Sequence, residues 1–214
     1  MELTIVQKIA VYALPVIFAI TLHEAAHGYV AKLFGDRTAY ILGRVSLNPL
    51  RHIDPIGTIL IPSLTMLFGG ILFGWAKPVP VDFGRLNNPK RDMLWVALAG
   101  PGANLVMAVL WAAVMKFAMA ASLGSFSEPL AFMGLAGVQI NAVLMVLNLM
   151  PILPLDGGRI AVSLLPDRLA YRYAQLEPYG LMILVLLLFS GALGAIISPL
   201  ISLTVSLLVS LFGL

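Results

Sequence analysis

The sequence predicts an all-α, polytopic membrane protein: a helix bundle with one re-entrant or interfacial segment and a short extended loop. Three observations carry this. Hydrophobic residues make up 60% of the 214 and charged residues 11%, against roughly 45–50% and about 25% in a soluble domain. So few charges cannot cover a water-facing surface, and the mean hydropathy of +0.99 agrees. The charges also cluster, leaving long uncharged gaps, and a spanning helix needs about 20 apolar residues to cross roughly 30 Å of hydrocarbon. A secreted enzyme, a nucleic-acid-binding module and a disordered regulator are thereby excluded. The balance of 13 basic to 10 acidic residues implies no polyanionic partner. With no cysteine, there is no disulfide framework, thiol nucleophile or thiolate metal site.

Ile9 to Leu22 carries no charge, and the run continues to Ala31 broken only by His23, Glu24 and His27. Lys8 ahead of it raises a signal peptide, but cleavage after an apolar core of ordinary length would remove or cut that cluster. The segment is therefore expected to stay as a span. Ile56 to Ala76, Met93 to Met115, Pro129 to Leu155 and Tyr179 to the C-terminus are also uncharged. The last is long enough for two short helices, with Gly191, Gly194 and Pro199 as places to turn. No internal repeat or soluble domain is visible. Residues 1–214 read as one membrane domain, with a motif-bearing core of about 4–165 and C-terminal apolar helices of about 179–214.

The first span carries H-E-A-A-H. Residues four apart share one helix face, so His23 and His27 present two imidazoles to one point, with Glu24 beside them. A hydrolytic zinc needs two such nitrogens and a carboxylate placed to take a proton from water. Ionisable groups near mid-membrane cost a few kcal/mol each unless paired or metal-bound, so their default reading is functional. Catalytic zinc usually takes a third protein ligand. Asp36, Asp54, Asp82, Asp92, Asp167 and Glu177 lie in charged connections and read as solvated residues. Glu128 borders two apolar spans, and His52 reads as a loop histidine. Asp156 differs, because it follows an apolar run in N-L-M-P-I-L-P-L-D-G-G-R. Pro151 and Pro154 remove backbone donors and disfavour helix before them, and Gly157 and Gly158 widen the allowed backbone. Broken backbone at membrane depth is tolerated where it is buried in protein or lines a watered cavity. Asp156 is thus presented from an elbow, with Asn148 at the end of the preceding helix.

Together, HEAAH and the distant N-x-x-P-x-x-P-x-D-G, filled by Asn148, Pro151, Pro154, Asp156 and Gly157, resemble the site-2 protease family of intramembrane zinc metalloproteases. The A-G-P-G-A-N run, Ala99 to Asn104, resembles the family's small-residue motif on the intervening span. The likeness covers roughly His23 to Arg159 and fits the minimal form, without a PDZ or CBS domain or an extra span before the first motif. It implies one Zn2+ per chain held by His23, His27 and Asp156, Glu24 as general base, and Asn148 assisting substrate or oxyanion. It also implies transmembrane substrates trimmed beforehand, such as anti-sigma factors or remnant signal peptides. Zinc lowers the pKa of a bound water towards roughly 7, which makes peptide hydrolysis feasible within a bilayer. A helical substrate must unwind first, and G-W-A-K-P-V-P-V-D offers extended backbone around Val79 and Val81 for it to pair with. With Asn104, these are the candidate substrate-contacting residues. Ala99, Gly100 and Gly102 are expected to pack against the zinc-bearing helix. A transporter or channel with an intramembrane ion site, or an inert membrane scaffold, remain alternatives.

Lys32, Arg37, Arg44 and Arg51 follow the first span, Lys77, Arg85, Lys90 and Arg91 follow Ile56 to Ala76, and Arg159, Arg168 and Arg172 follow Asp156. The positive-inside rule puts all three groups in the cytoplasm. The zinc site then lies nearer that side of a cell membrane. A single crossing by Ile56 to Ala76 would part Asp156 from His23, so this stretch is expected to be re-entrant or interfacial.

Overall fold

The structure, a computed structural model, describes residues 4–52, 54, 77–121 and 124–214. Among them the regular elements are helical, with no strand. They are α1 (Ile5–Leu33), α2 (Thr38–Ile41), α3 (Pro89–Ala120), α4 (Ser127–Asn148), α5 (Asp156–Leu164), α6 (Asp167–Ala174), α7 (Glu177–Phe189) and α8 (Ala192–Leu211). Four of these, α1, α3, α4 and α8, are long and apolar enough to cross a bilayer, and α6 with α7 forms a further pair bent by 64°. The protein is an all-α, multi-pass membrane protein. The segment expected to be re-entrant, Ile56 to Ala76, lies outside the described residues.

α1 begins in a capping box: Thr4 Oγ1 accepts from the Gln7 amide, and Gln7 Oε1 accepts from the Thr4 amide. Val11, Pro15, Ala19 and His23 are buried at every fourth position, while Tyr12, Leu14, Ile17 and Phe18 between them are exposed. In a bilayer such an exposed apolar stripe faces lipid, and the buried stripe leads to the first histidine.

α3 and α4 are the most intimately packed pair. An added Cβ at Gly137 of α4 would fall 2.1 Å from the Trp111 ring of α3, so the helices approach almost to backbone contact, as small residues permit in membranes. Leu208 of α8 closes the far side of this pair over Ala108, Ala112 and Val138. Pro89 opens α3 at its first turn, where a missing N–H costs least. Asp92 accepts the Asn88 amide at 2.7 Å. The helix therefore extends well past the uncharged Met93 to Met115.

Two breaks expected from the sequence fall where prolines and glycines stand. α4 stops at Asn148, and residues 149–155 form a non-helical elbow before Asp156 opens α5. The C-terminal apolar run turns at Gly191, whose φ of +75° is the left-handed region that glycine enters without strain. Gly194 and Pro199 lie inside α8.

The end of α1 and the start of α3 lie side by side. The Asn87 amide donates to the Phe34 carbonyl at 2.8 Å. The Lys77 amide likewise donates to the His52 carbonyl at 2.9 Å. Asp36, fully buried just beyond α1, accepts from the Thr38 amide at 2.9 Å and the Asp82 amide at 2.8 Å. The long connection from α1 to α3 thus starts and finishes at one end of the bundle, bound to the helix it left.

Candidate metal centre

Two elements deliver the chemical groups. His23 and His27 stand one turn apart on α1, and Asp156 heads α5 beyond the elbow. His23 Nε2 and His27 Nε2 are 3.2 Å apart. Each lies 3.3 Å from one oxygen of Asp156. One donor atom from each residue falls within 4.8 Å of the others, and this is the one His/Asp/Glu group of that kind among the described residues.

The opposite ring nitrogens are already engaged. His23 Nδ1 bonds Asn104 Oδ1 at 2.6 Å, and His27 Nδ1 bonds the Val96 carbonyl at 2.7 Å. A carbonyl can only accept, so each imidazole carries a proton on Nδ1 and turns its Nε2 inward. Asp156 Oδ2 is buried without a hydrogen-bond partner. Two imidazole nitrogens and a carboxylate converging at this range form a donor set that a cation can occupy. The donor set of two imidazoles and one carboxylate fits Zn2+.

α3 passes close enough to shape this cluster. An added Cβ at Gly100 would fall 2.3 Å from His27 Nε2 and 2.6 Å from His23 Cε1, so the helix fits here because Gly100 has no side chain. Gly102 departs from expectation. Nothing lies within 4 Å of a Cβ there, and the residue is exposed. At about 100° per residue, Gly100 and Gly102 point in nearly opposite directions. Gly102 and Ala99 instead line an apolar groove along the α1–α3 seam with Ala25, Ala26 and Tyr29.

Glu24 neighbours the cluster, and its Oε2 accepts the Val79 amide at 2.7 Å. The loop of residues 77–82 therefore reaches the site, but with a different use of Val79 from the one expected. Its N–H is spent on Glu24, its side chain is 7% exposed, and Val81 packs beside Ala31 and Leu86. Asn104, expected to contact substrate, has no exposed surface and bonds His23. Asn148 is half-buried at the end of α4, where its Nδ2 donates to the Leu144 carbonyl at 2.9 Å. His52 is buried away from the cluster, bonded through Nε2 to the Ser46 carbonyl at 2.9 Å.

The elbow is held from behind by the C-terminal half. Tyr173 donates to the Pro151 carbonyl at 2.5 Å, and Arg159 of α5 pairs with Glu177 of α7. An added Cβ at Gly180 would sit 1.6 Å from the Leu153 carbonyl oxygen, so α7 bears directly on the turn that presents Asp156.

Sequence reasoning did not single out Asn141, which is fully buried and joined to Asn104 at 3.0 Å. A signal was present, since Asn141 precedes Asn148 by two helical turns and so shares its face.

No family model and no solved structure matches the chain. The chain is 41% identical over 182 residues to the candidate zinc metalloprotease YwhC of Bacillus subtilis, an alignment spanning 84% of this chain and 80% of that one. It is 34% identical over 179 residues to the candidate zinc metalloprotease Rip2 of Mycolicibacterium smegmatis, spanning 83% of this chain and 66% of the relative. Against Rip2 of Mycobacterium tuberculosis the identity is 33% over 162 residues, spanning 75% and 54%.

Proposed function

The chain belongs to the site-2 protease family of zinc metalloproteases, and on that premise we propose that it hydrolyses peptide bonds within or beside transmembrane segments, with His23, His27 and Asp156 as zinc ligands and Glu24 as general base. One observation carries the reading. Two imidazole nitrogens and a carboxylate converge within 4.8 Å, on helices that lie in a membrane. Bound there, the zinc would supply Lewis acidity that makes water nucleophilic near neutral pH.

The chain's own groups do the rest. Glu24, with Oε2 held by the Val79 amide, keeps Oε1 to take the proton of the attacking water and return it to the leaving amine. Asn148 has a second amide hydrogen beyond the one given to Leu144 and serves the developing oxyanion. Val79 C=O and Val81 N–H make no hydrogen bond among the described residues, leaving a short edge on which an unwound substrate strand can pair. The substrate class is a single-pass protein already shortened by another protease, such as an anti-sigma factor or a remnant signal peptide. The site lies nearer the cytoplasmic face, where Lys32, Arg37, Arg44 and Arg51 follow α1.

Transport and scaffolding gain no support among the described residues. The test uses purified protein in vesicles with a single-pass substrate. Glu24→Gln retains about one zinc per chain and loses cleavage, while His27→Ala loses the zinc itself. Undiminished cleavage by Glu24→Gln would falsify the general-base role.

A further inference from the structure

Two asparagines lie with no exposed surface among apolar helices. Asn104 is on α3 and Asn141 on α4, and buried amides at membrane depth are costly unless satisfied. Both are satisfied in one connected chain. Asn104 Nδ2 donates to the Ala19 carbonyl of α1 at 3.2 Å and to Asn141 Oδ1 at 3.0 Å. Asn141 Nδ2 donates to the Gly137 carbonyl one turn earlier at 2.8 Å. Asn104 Oδ1 faces His23 Nδ1 at 2.6 Å.

The direction of this chain is fixed at its ends. The Ala19 and Gly137 carbonyls can only accept, so the amide nitrogens must face them. Flipping Asn141 would set its oxygen against the Gly137 carbonyl. Flipping Asn104 would set its oxygen against Ala19 and Asn141 Oδ1 together. Asn104 is therefore bound to turn its oxygen to His23, and His23 is bound to hold its proton on Nδ1. His27 needs no such relay, because the Val96 carbonyl does the same directly.

We infer that Asn104 and Asn141 are positioning residues for the metal. Together they fix the tautomer and orientation of His23, carrying a constraint from the α4 backbone to a ligand on α1. This rests on the metalloprotease reading above, and it gives Asn104 a role that requires no contact with substrate.

The test compares full-length variants in detergent by zinc competition against a chromogenic chelator. Metal-free samples labelled with 15N-histidine report the ring tautomers by NMR. Asn104→Leu keeps the shape and removes the acceptor, and zinc affinity should fall about 10–100-fold, the usual effect of losing an outer partner of a ligating histidine. Its His23 signal should leave the pure Nδ1–H pattern. Asn141→Leu frees one end of the relay and should lose affinity at the lower, about tenfold end of that range. A role in packing alone predicts that both leucine variants, which keep the shape, retain wild-type affinity. Wild-type affinity in Asn104→Leu, or a His23 signal that keeps the pure Nδ1–H pattern there, would overturn the inference. Should Asn104→Leu fail to fold, a wild-type zinc affinity and His23 signal in Asn141→Leu overturns it instead. A wild-type protein that takes up no zinc in the same titration sinks the metalloprotease reading, a separate result.

Discussion

At the scale of single residues, the site depends on one missing side chain as much as on those present. Gly100→Ala would place a methyl 2.3 Å from His27 Nε2. Neither ring can retreat, since each is tied at Nδ1. Zinc affinity should fall by at least about tenfold, read by chelator competition, while Gly102→Ala, facing the open groove, should match the wild type. Equal behaviour of the two would refute the close packing at Gly100. The three residues proposed as ligands were legible in the sequence as a group, because the four-residue spacing of His23 and His27 and the proline-bracketed Asp156 are local signals, and the structure brings them together. The relay behind His23 was not. Asn104 meets His23 across 81 positions of sequence, and nothing local distinguishes an asparagine that faces substrate from one that faces a ligand. Only once Gly100 is known to face the histidines does Asn104, four residues on and on the same face, become predictable.

At the scale of elements, two attachments hold the segments that shape the site. The first is Asp36, which ties the loop of residues 77–82 to the end of α1. Burial disfavours its charge, but hydrogen bonds from the Thr38 hydroxyl and from the Thr38 and Asp82 amides, with the Arg85 guanidinium nearby, hold its pKa below the usual 3.8. A carboxylate whose pKa is lowered on folding stabilises the fold at pH above its unfolded pKa, and loses that effect as pH falls through the folded value. Thermal unfolding in detergent should thus show Asp36→Asn less stable than wild type at pH 6–7, with the gap closing in acid below about pH 4. A gap independent of pH would refute the ionic clamp. The second attachment is α7 against the elbow. Gly180→Ala meets the Leu153 carbonyl at 1.6 Å, a backbone group that cannot swing aside. It should cost about 1–3 kcal/mol, as overpacking does, and lower zinc occupancy at a site it does not touch. Unchanged occupancy would show that the elbow keeps its shape without α7. The break after Asn148 was readable from its prolines, whereas the support from α6 and α7 is tertiary and left no local trace.

For the whole molecule, the question is which side of the membrane each connection occupies. The amide of Asn87 on the Phe34 carbonyl and that of Lys77 on the His52 carbonyl bring the connection back to the end of α1. Single cysteines at Arg44 and Arg85 should therefore react with an impermeant thiol probe from the same face of sealed vesicles. The native chain has no cysteine to confuse the result. Labelling from opposite faces would separate His23 from Asp156 and sink both the topology and the metal site. Charge placement alone pointed to this arrangement, because the bilayer imposes its rule on the sequence directly.

The bond from the Val79 amide to Glu24 has a stereochemical consequence. A carboxylate with one oxygen tied down is no longer symmetric, so Glu24, as the general base proposed above, would accept protons on a single flank. In that mechanism water would be delivered to one prochiral face of the scissile carbonyl. Peptidic inhibitors bearing a tetrahedral carbinol carbon at the cleavage position should bind unequally as their two epimers. Equal inhibition by both would mean that Glu24 works from either flank, untied.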